Sequence, residues 1–381
     1  MALKQSRRAA IDPFIVMEVM RSANERAAGG GDVLHMEVGQ PSTPAPRLVL
    51  EAARRALDRE LIGYTDALGT PALRARISRH YRDFYGLDVP AARIAVTTGS
   101  SGGFLLSFLA AFDPGDRVAL AMPGYPCYRH ILTALGLEPV LIEAHAATKF
   151  QPTIADLEAV EGKLDGLILA SPSNPVGAVV APADLSAIAA WCAQKGVRLI
   201  SDEIYHGITF GTKATSAANE AGAIVINSFS KYFSMTGWRL GWMVLPDDLV
   251  KATERLLQNF FISAPALSQS AGVAAFDAHE ELEANVARYA RNRELLLNEL
   301  PRAGFDDLIT TDGAFYIYAN VARLTNDSLD FCRRMLSETG VAATPGIDFD
   351  PARGRHFMRF CFSGATDDMA EAARRLKGWR K

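Results

Sequence analysis

The chain has few of the features that mark disulfide-stapled, metal-binding, membrane-spanning or nucleic-acid-binding proteins. Its 381 residues include four cysteines, Cys127, Cys192, Cys332 and Cys361, which lie far apart without a C-x-x-C pair. Neither a disulfide framework nor a zinc site is indicated, and reduced thiols in a cytoplasmic protein are expected. The seven histidines, His35, His80, His130, His145, His206, His279 and His356, show no H-E-x-x-H or related ligand spacing, so no metal is expected. The most apolar run, Phe104 to Phe112, is far shorter than the roughly 20 residues needed to span a bilayer, which argues against a membrane protein. The basic start at Lys4, Arg7 and Arg8 is followed by Asp12, Pro13 and Glu18, which a signal-peptide core would not tolerate. Forty Lys plus Arg against 43 Asp plus Glu leave a net charge of -3, without the basic excess that nucleic acid binding calls for.

What the chain does have is ordinary globular composition and a regular alternation of elements. It is 49% hydrophobic and 22% charged, and at roughly 150 residues per domain its length allows two or three domains. From about residue 45 onward, β-branched apolar runs alternate with helical segments, the pattern of a mostly parallel sheet covered on both faces. Seven runs read as strands: Ile94 to Thr97, Val118 to Ala121, Pro139 to Ile142, Gly166 to Leu169, Val197 to Ile200, Ala223 to Ile226, and Trp242 to Leu245. Beyond about residue 285 a long charged helix leads to two strand-like pieces, Ala314 to Tyr318 and His356 to Cys361, and to helices near Ser328 to Thr339 and Asp367 to Lys377. The expectation is an α/β domain over residues 45–285 and a smaller α+β domain over 286–381, to which an N-terminal arm, residues 1–44, partly belongs. Arg74, Arg76, Arg79 and Arg82 read as a solvated helix face.

Open parallel sheets bind ligands at the carboxyl ends of their strands, and four such ends here carry polar residues. Thr98-Gly99-Ser100-Ser101-Gly102-Gly103 opens an apolar helix, where backbone N–H groups face an anion closely. Ser171-Pro172-Ser173-Asn174-Pro175-Val176-Gly177 forms a turn; Asp202-Glu203-Ile204-Tyr205 and Asn227-Ser228-Phe229-Ser230-Lys231 end two more strands. Taken singly, the Gly-Ser turn is most simply a turn and Lys231 a surface lysine. Together they place an anion cradle, an amide, a carboxylate and a lysine along one sheet edge.

The order and spacing of these motifs resemble the class I and II aminotransferases, pyridoxal 5'-phosphate enzymes of fold type I. The resemblance spans nearly the whole chain, from His35-Met36-Glu37-Val38-Gly39-Gln40-Pro41 and Gly63-Tyr64-Thr65 through Pro123-Gly124-Tyr125-Pro126 and Asp202-Glu203-Ile204-Tyr205 to Ser228-Phe229-Ser230-Lys231, Gly237-Trp238-Arg239-Leu240-Gly241 and Arg359-Phe360. It implies that Lys231 forms the Schiff base with the cofactor and shuttles the substrate proton. Asp202 would keep the pyridine nitrogen protonated, Asn174 and Tyr205 would bond the ring's phenolic oxygen, and Tyr125 would stack on the ring. Ser100, Ser101, Ser228, Ser230 and Arg239 would take the phosphate. Gly39, Asn174 and Arg359 would hold the substrate α-carboxylate. Tyr64 would reach the phosphate of a neighbouring subunit, making the active unit a homodimer with shared sites.

Three departures from the family pattern bear on substrate. Val176-Gly177 replaces the frequent Thr-Gly, Asp350 stands where glycine is usual, and Ser101 stands where acidic-substrate members place a lysine for a distal carboxylate. The resemblance therefore implies a ping-pong transaminase that prefers neutral or aromatic donors to aspartate, with 2-oxoglutarate as the expected acceptor. A C–S lyase on the same scaffold is the alternative chemistry. A cofactor-binding regulatory module is a further one, although the roughly 40 residues before the match leave no room for a winged-helix domain.

Overall fold

The computed structural model describes residues 3–309 and 311–379, so the outer limits drawn at residues 1 and 381 lie outside the described residues. Seven strands form one sheet in the order Ile94–Thr97, Gly241–Val244, Ile224–Ser228, Arg198–Asp202, Gly166–Ala170, Arg117–Met122, Glu138–Glu143. All pairings are parallel except those of Gly241–Val244, which runs against both neighbours. Each strand matches its expected run to within a residue or two. Burial on both faces explains why the runs are continuously apolar. Ile168, Ile200 and Ile226 point to the side of helices Gly99–Ala111 and Asp247–Phe260, while Leu167, Leu169, Leu199 and Val225 point to the side of helix Pro182–Lys195. Because six strands run in one direction, their carboxyl ends share one edge.

The second sheet has four antiparallel strands in the order Thr344–Pro345, Phe357–Cys361, Tyr316–Asn320, Asp307–Ile309. Its central strand pairs Arg359 with both Tyr318 and Thr344. A separate two-stranded parallel pairing, Leu34 with Val341 and His35 with Ala342, joins the N-terminal segment to the chain just before Thr344–Pro345. Two details differ from expectation. The strand expected to begin at Ala314 begins at Tyr316, since Ala314 sits in a turn at φ +57°. The arginine cluster is only partly a solvated face: Arg74 donates to the carbonyls of Ala91 and Ile94, and Arg76 lies 4.8 Å over the Phe276 ring and pairs with Asp277. Among the described residues no helix is long and apolar enough to cross a membrane.

Candidate active site

A cavity of about 570 Å³ opens where the carboxyl edge of the large sheet meets the small sheet. Gly39, Ser100, Ser101, Tyr125, Asn174, Asp202, Tyr205, Ser230, Lys231, Arg239 and Arg359 all line it. Eleven residues that the strand ends and the family resemblance single out, from separate chain segments, thus lie around one cavity. Ser228 lies just behind, buried, with its hydroxyl 2.8 Å from that of Ser230. Tyr64 is the exception: it is 84% exposed and does not line the cavity of its own chain.

Lys231 follows the strand Ile224–Ser228 and donates to the Gly39 carbonyl at 2.5 Å. Burial lowers its amine to about 8, with Arg359 and Arg239 adding to the effect, so a substantial neutral fraction exists at physiological pH. Asp202 ends the neighbouring strand. Its partners are the Tyr128 hydroxyl and the Ile204 amide, not a cation, and burial lifts its carboxyl to about 6 against the pull of those two donors. A buried carboxylate with no cation bonded to it is poised for a protonated ring nitrogen. Tyr205 shares a 2.6 Å hydrogen bond with Tyr316, and burial raises both phenols, so both stay neutral.

The anion end is shaped by glycine. Gly99 opens helix Gly99–Ala111 at φ +74°, and a Cβ there would lie 2.6 Å from Arg239 Nη2. The missing side chain lets a guanidinium meet the helix N-terminus, where Ser100 and Ser101 stand, and this cradle fits a phosphate dianion. Arg239 itself adopts φ +51° and donates to the Thr236 carbonyl. At the other end Arg359, 2% exposed, donates Nη1 to Asn174 Oδ1 at 2.8 Å and Nη2 to the Glu37 carbonyl and Thr344. Its Nε is buried without a partner among the described residues, which leaves a donor for an incoming carboxylate. A side chain at Gly39 would collide with the Tyr316 hydroxyl. The donor set therefore fits pyridoxal phosphate: an aldehyde-reactive amine, an acid for the ring nitrogen and a phosphate cradle.

Several functional neighbours carry no motif. Tyr128 and Tyr316 orient Asp202 and Tyr205, and the Tyr316 ring lies 4.2 Å below the Arg359 guanidinium. Tyr128 sits three residues after Tyr125 on helix Pro126–Leu135, a spacing that could have placed both on one face. Phe14, Val16, Met17 and Met20 from the first turns of helix Ile15–Ala28 form an apolar wall. Asp350, in place of glycine, accepts from the Ala352 and Arg353 amides and from Arg353 Nε at 2.8 Å, which settles the shape of its loop.

Residues 31–376 match the family model for aminotransferase class I and II. The valine–pyruvate aminotransferase of Mycobacterium tuberculosis is 51% identical over 377 residues, covering 98% of this chain and 97% of the relative. An aspartate aminotransferase of Sulfurisphaera tokodaii is 30% identical over 356 residues, covering 91% and 89%. Among solved structures, an aminotransferase from Mycobacterium tuberculosis superposes with a TM-score of 0.97 at 50% identity, with 99% of each chain covered.

Proposed function

The chain belongs to the class I and II aminotransferases, and from that premise we propose a ping-pong transaminase that takes a neutral L-amino acid as donor and a monocarboxylic 2-oxo acid as acceptor. Members of this family depend on pyridoxal phosphate, and the cavity is its proposed seat here. Bound there, the cofactor would supply an electron sink for the charge left at substrate Cα when its proton departs. The protein's own residues do the rest. Arg359 and Asn174 hold the α-carboxylate and aim Cα toward Lys231. The Lys231 amine, lowered to about 8 by burial, takes the Cα proton at Nζ and would hand it to the cofactor's C4' carbon within the same half-reaction, the second half-reaction running the transfer in reverse. Tyr205 and Asn174 donate to the ring oxygen, Tyr125 covers the ring, and Ser100, Ser101, Ser228, Ser230 and Arg239 anchor the phosphate.

One observation carries the substrate reading. Among the described residues lining the cavity, the cations are Lys231, Arg239 and Arg359, and each already has an assignment. A side-chain carboxylate would enter unpaired, at a cost of several kcal/mol, and would face Phe14, Val16, Met17 and Met20. The same reasoning favours pyruvate-like acceptors over the 2-oxoglutarate that the sequence alone suggests. The printed name of the 51% identical relative, valine–pyruvate aminotransferase, agrees with this assignment. Measured kcat/KM values for valine, alanine and aspartate with pyruvate and 2-oxoglutarate test it. Valine or alanine is expected to exceed aspartate by about tenfold or more, and a lead for aspartate would refute the neutral-donor reading.

The two sheets support a cofactor domain at 45–285 and a smaller domain at 286–381, to which the N-terminal arm, 1–44, partly belongs. Free cysteines support a cytoplasmic setting, and Tyr64 supports a homodimer. A C–S lyase would release ammonia in place of a recyclable amino group, so ammonia assays distinguish it from transamination.

A further inference from the structure

Helix Ile15–Ala28 lacks a local cap. Phe14 stands at its N-cap and offers no side-chain hydrogen bond, so the first amides need another acceptor. They find it more than 330 residues away: Ile15 N donates to Asp348 Oδ1 at 3.2 Å and Val16 N to Asp348 Oδ2 at 3.1 Å. Asp348 is 1% exposed, and the Asp348 carbonyl is held from the other side by Arg129 Nη2 at 2.8 Å. Farther along, the helix is fastened separately, with Ala23 packed against Leu336 and Ala342. The first two amides are therefore held by one carboxylate, while farther along Arg26 Nη1 donates to the Ser337 carbonyl at 3.0 Å beside that apolar packing.

That first turn is the part that faces substrate. Val16, Met17 and Met20 line the cavity together with Phe14, whose ring meets Tyr125 edge-on at 5.7 Å. We propose that Asp348, by capping this helix from the small sheet's loop, fixes an apolar seat that favours aliphatic donor side chains larger than a methyl group. Asp348 is a positioning residue, and Val16, Met17 and Met20 are the residues that read the side chain. The inference rests on the neutral-donor reading above and narrows it. For a donor whose α-carboxylate is held by Arg359 and Asn174, a side chain larger than a methyl group gains more contact with this wall, so valine is expected to depend on it more than alanine.

The test titrates the cofactor-loaded protein with isovalerate and propionate, the desamino forms of valine and alanine, and runs kcat/KM for the two amino acids in parallel. In Asp348→Ala the Kd for isovalerate is expected to rise about tenfold and the KM for valine with it, while propionate and alanine stay within about threefold. Asp348→Asn, which keeps one of the two acceptor oxygens, is expected to recover only part of the loss. Parallel weakening of both carboxylates, or an unchanged ratio, overturns the seat. Because binding needs no turnover, a wild-type protein that discriminates isovalerate yet transaminates no neutral donor overturns the functional reading and leaves the seat standing. Should Asp348→Ala fail to fold, Val16→Ala is expected to move the donor preference from valine toward leucine and phenylalanine, and an unchanged ranking refutes the proposal.

Discussion

A carboxylate buried with no cation bonded to it burdens the folded protein whenever its ligand is absent, and Asp202 is in that position. Its carboxyl is raised to about 6 in the fold, against about 3.9 in an unfolded chain. Between those values the unfolded state has released the proton and the folded state retains it. Stability therefore falls as pH rises through that window, by about 3 kcal/mol in total, and stays low above it. Asp202→Asn removes this penalty. In the cofactor-free protein the substitution is expected to raise the thermal midpoint at about pH 7.5 and to change it little near pH 4, while transamination drops about a hundredfold or more. A midpoint unchanged or lowered at the higher pH would contradict the burial argument. The place of Asp202 at a strand end was legible in the sequence. The absence of a bonded cation was not, because it depends on Tyr128 and Ile204 being its partners.

At the scale of elements, the turn from strand Ile94–Thr97 into helix Gly99–Ala111 decides how the phosphate cradle forms. An alanine at Gly99 would occupy a left-handed conformation and press on Arg239. Gly99→Ala is expected to cost about 1–2 kcal/mol of stability and to weaken pyridoxal phosphate retention about tenfold. Gly237→Ala, with nothing within 4 Å of the new Cβ, serves as the control and should change neither. Equal cofactor retention in both variants would remove Arg239 from the cradle. The long strands were legible because they are buried on both faces and so appear as unbroken apolar runs. The short strands Leu34–His35, Asp307–Ile309 and Thr344–Pro345 were not, since two or three residues show no periodicity and are held by partners distant in the chain.

At the scale of the whole molecule, Tyr64 and its surroundings point outward. Leu61 is 96% exposed, and Phe260 and Ile262 are about half exposed, next to a loop joined by the Thr65 amide to the Ser263 hydroxyl at 3.3 Å. In the proposed dimer this face meets a second copy and Tyr64 enters the other subunit's site. Mixing Tyr64→Ala chains with Lys231→Ala chains should then yield heterodimers in which one site carries both defects and the other neither, and activity should return. Failure of two impaired homodimers to complement after subunit exchange would place Tyr64 outside the site. The sequence by itself determined which polar groups gather at one edge, because the residues that follow each parallel strand are local in the chain and their carboxyl ends must share an edge, and its resemblance to the family pointed to the chemistry. Only the tertiary structure decided the environment of that chemistry: the burial that lowers Lys231 and raises Asp202, the Glu37 carbonyl and Thr344 that hold Arg359, and the cap that Asp348 places on helix Ile15–Ala28. Each of these depends on desolvation or on partners far apart in the chain, which no local pattern of residues records.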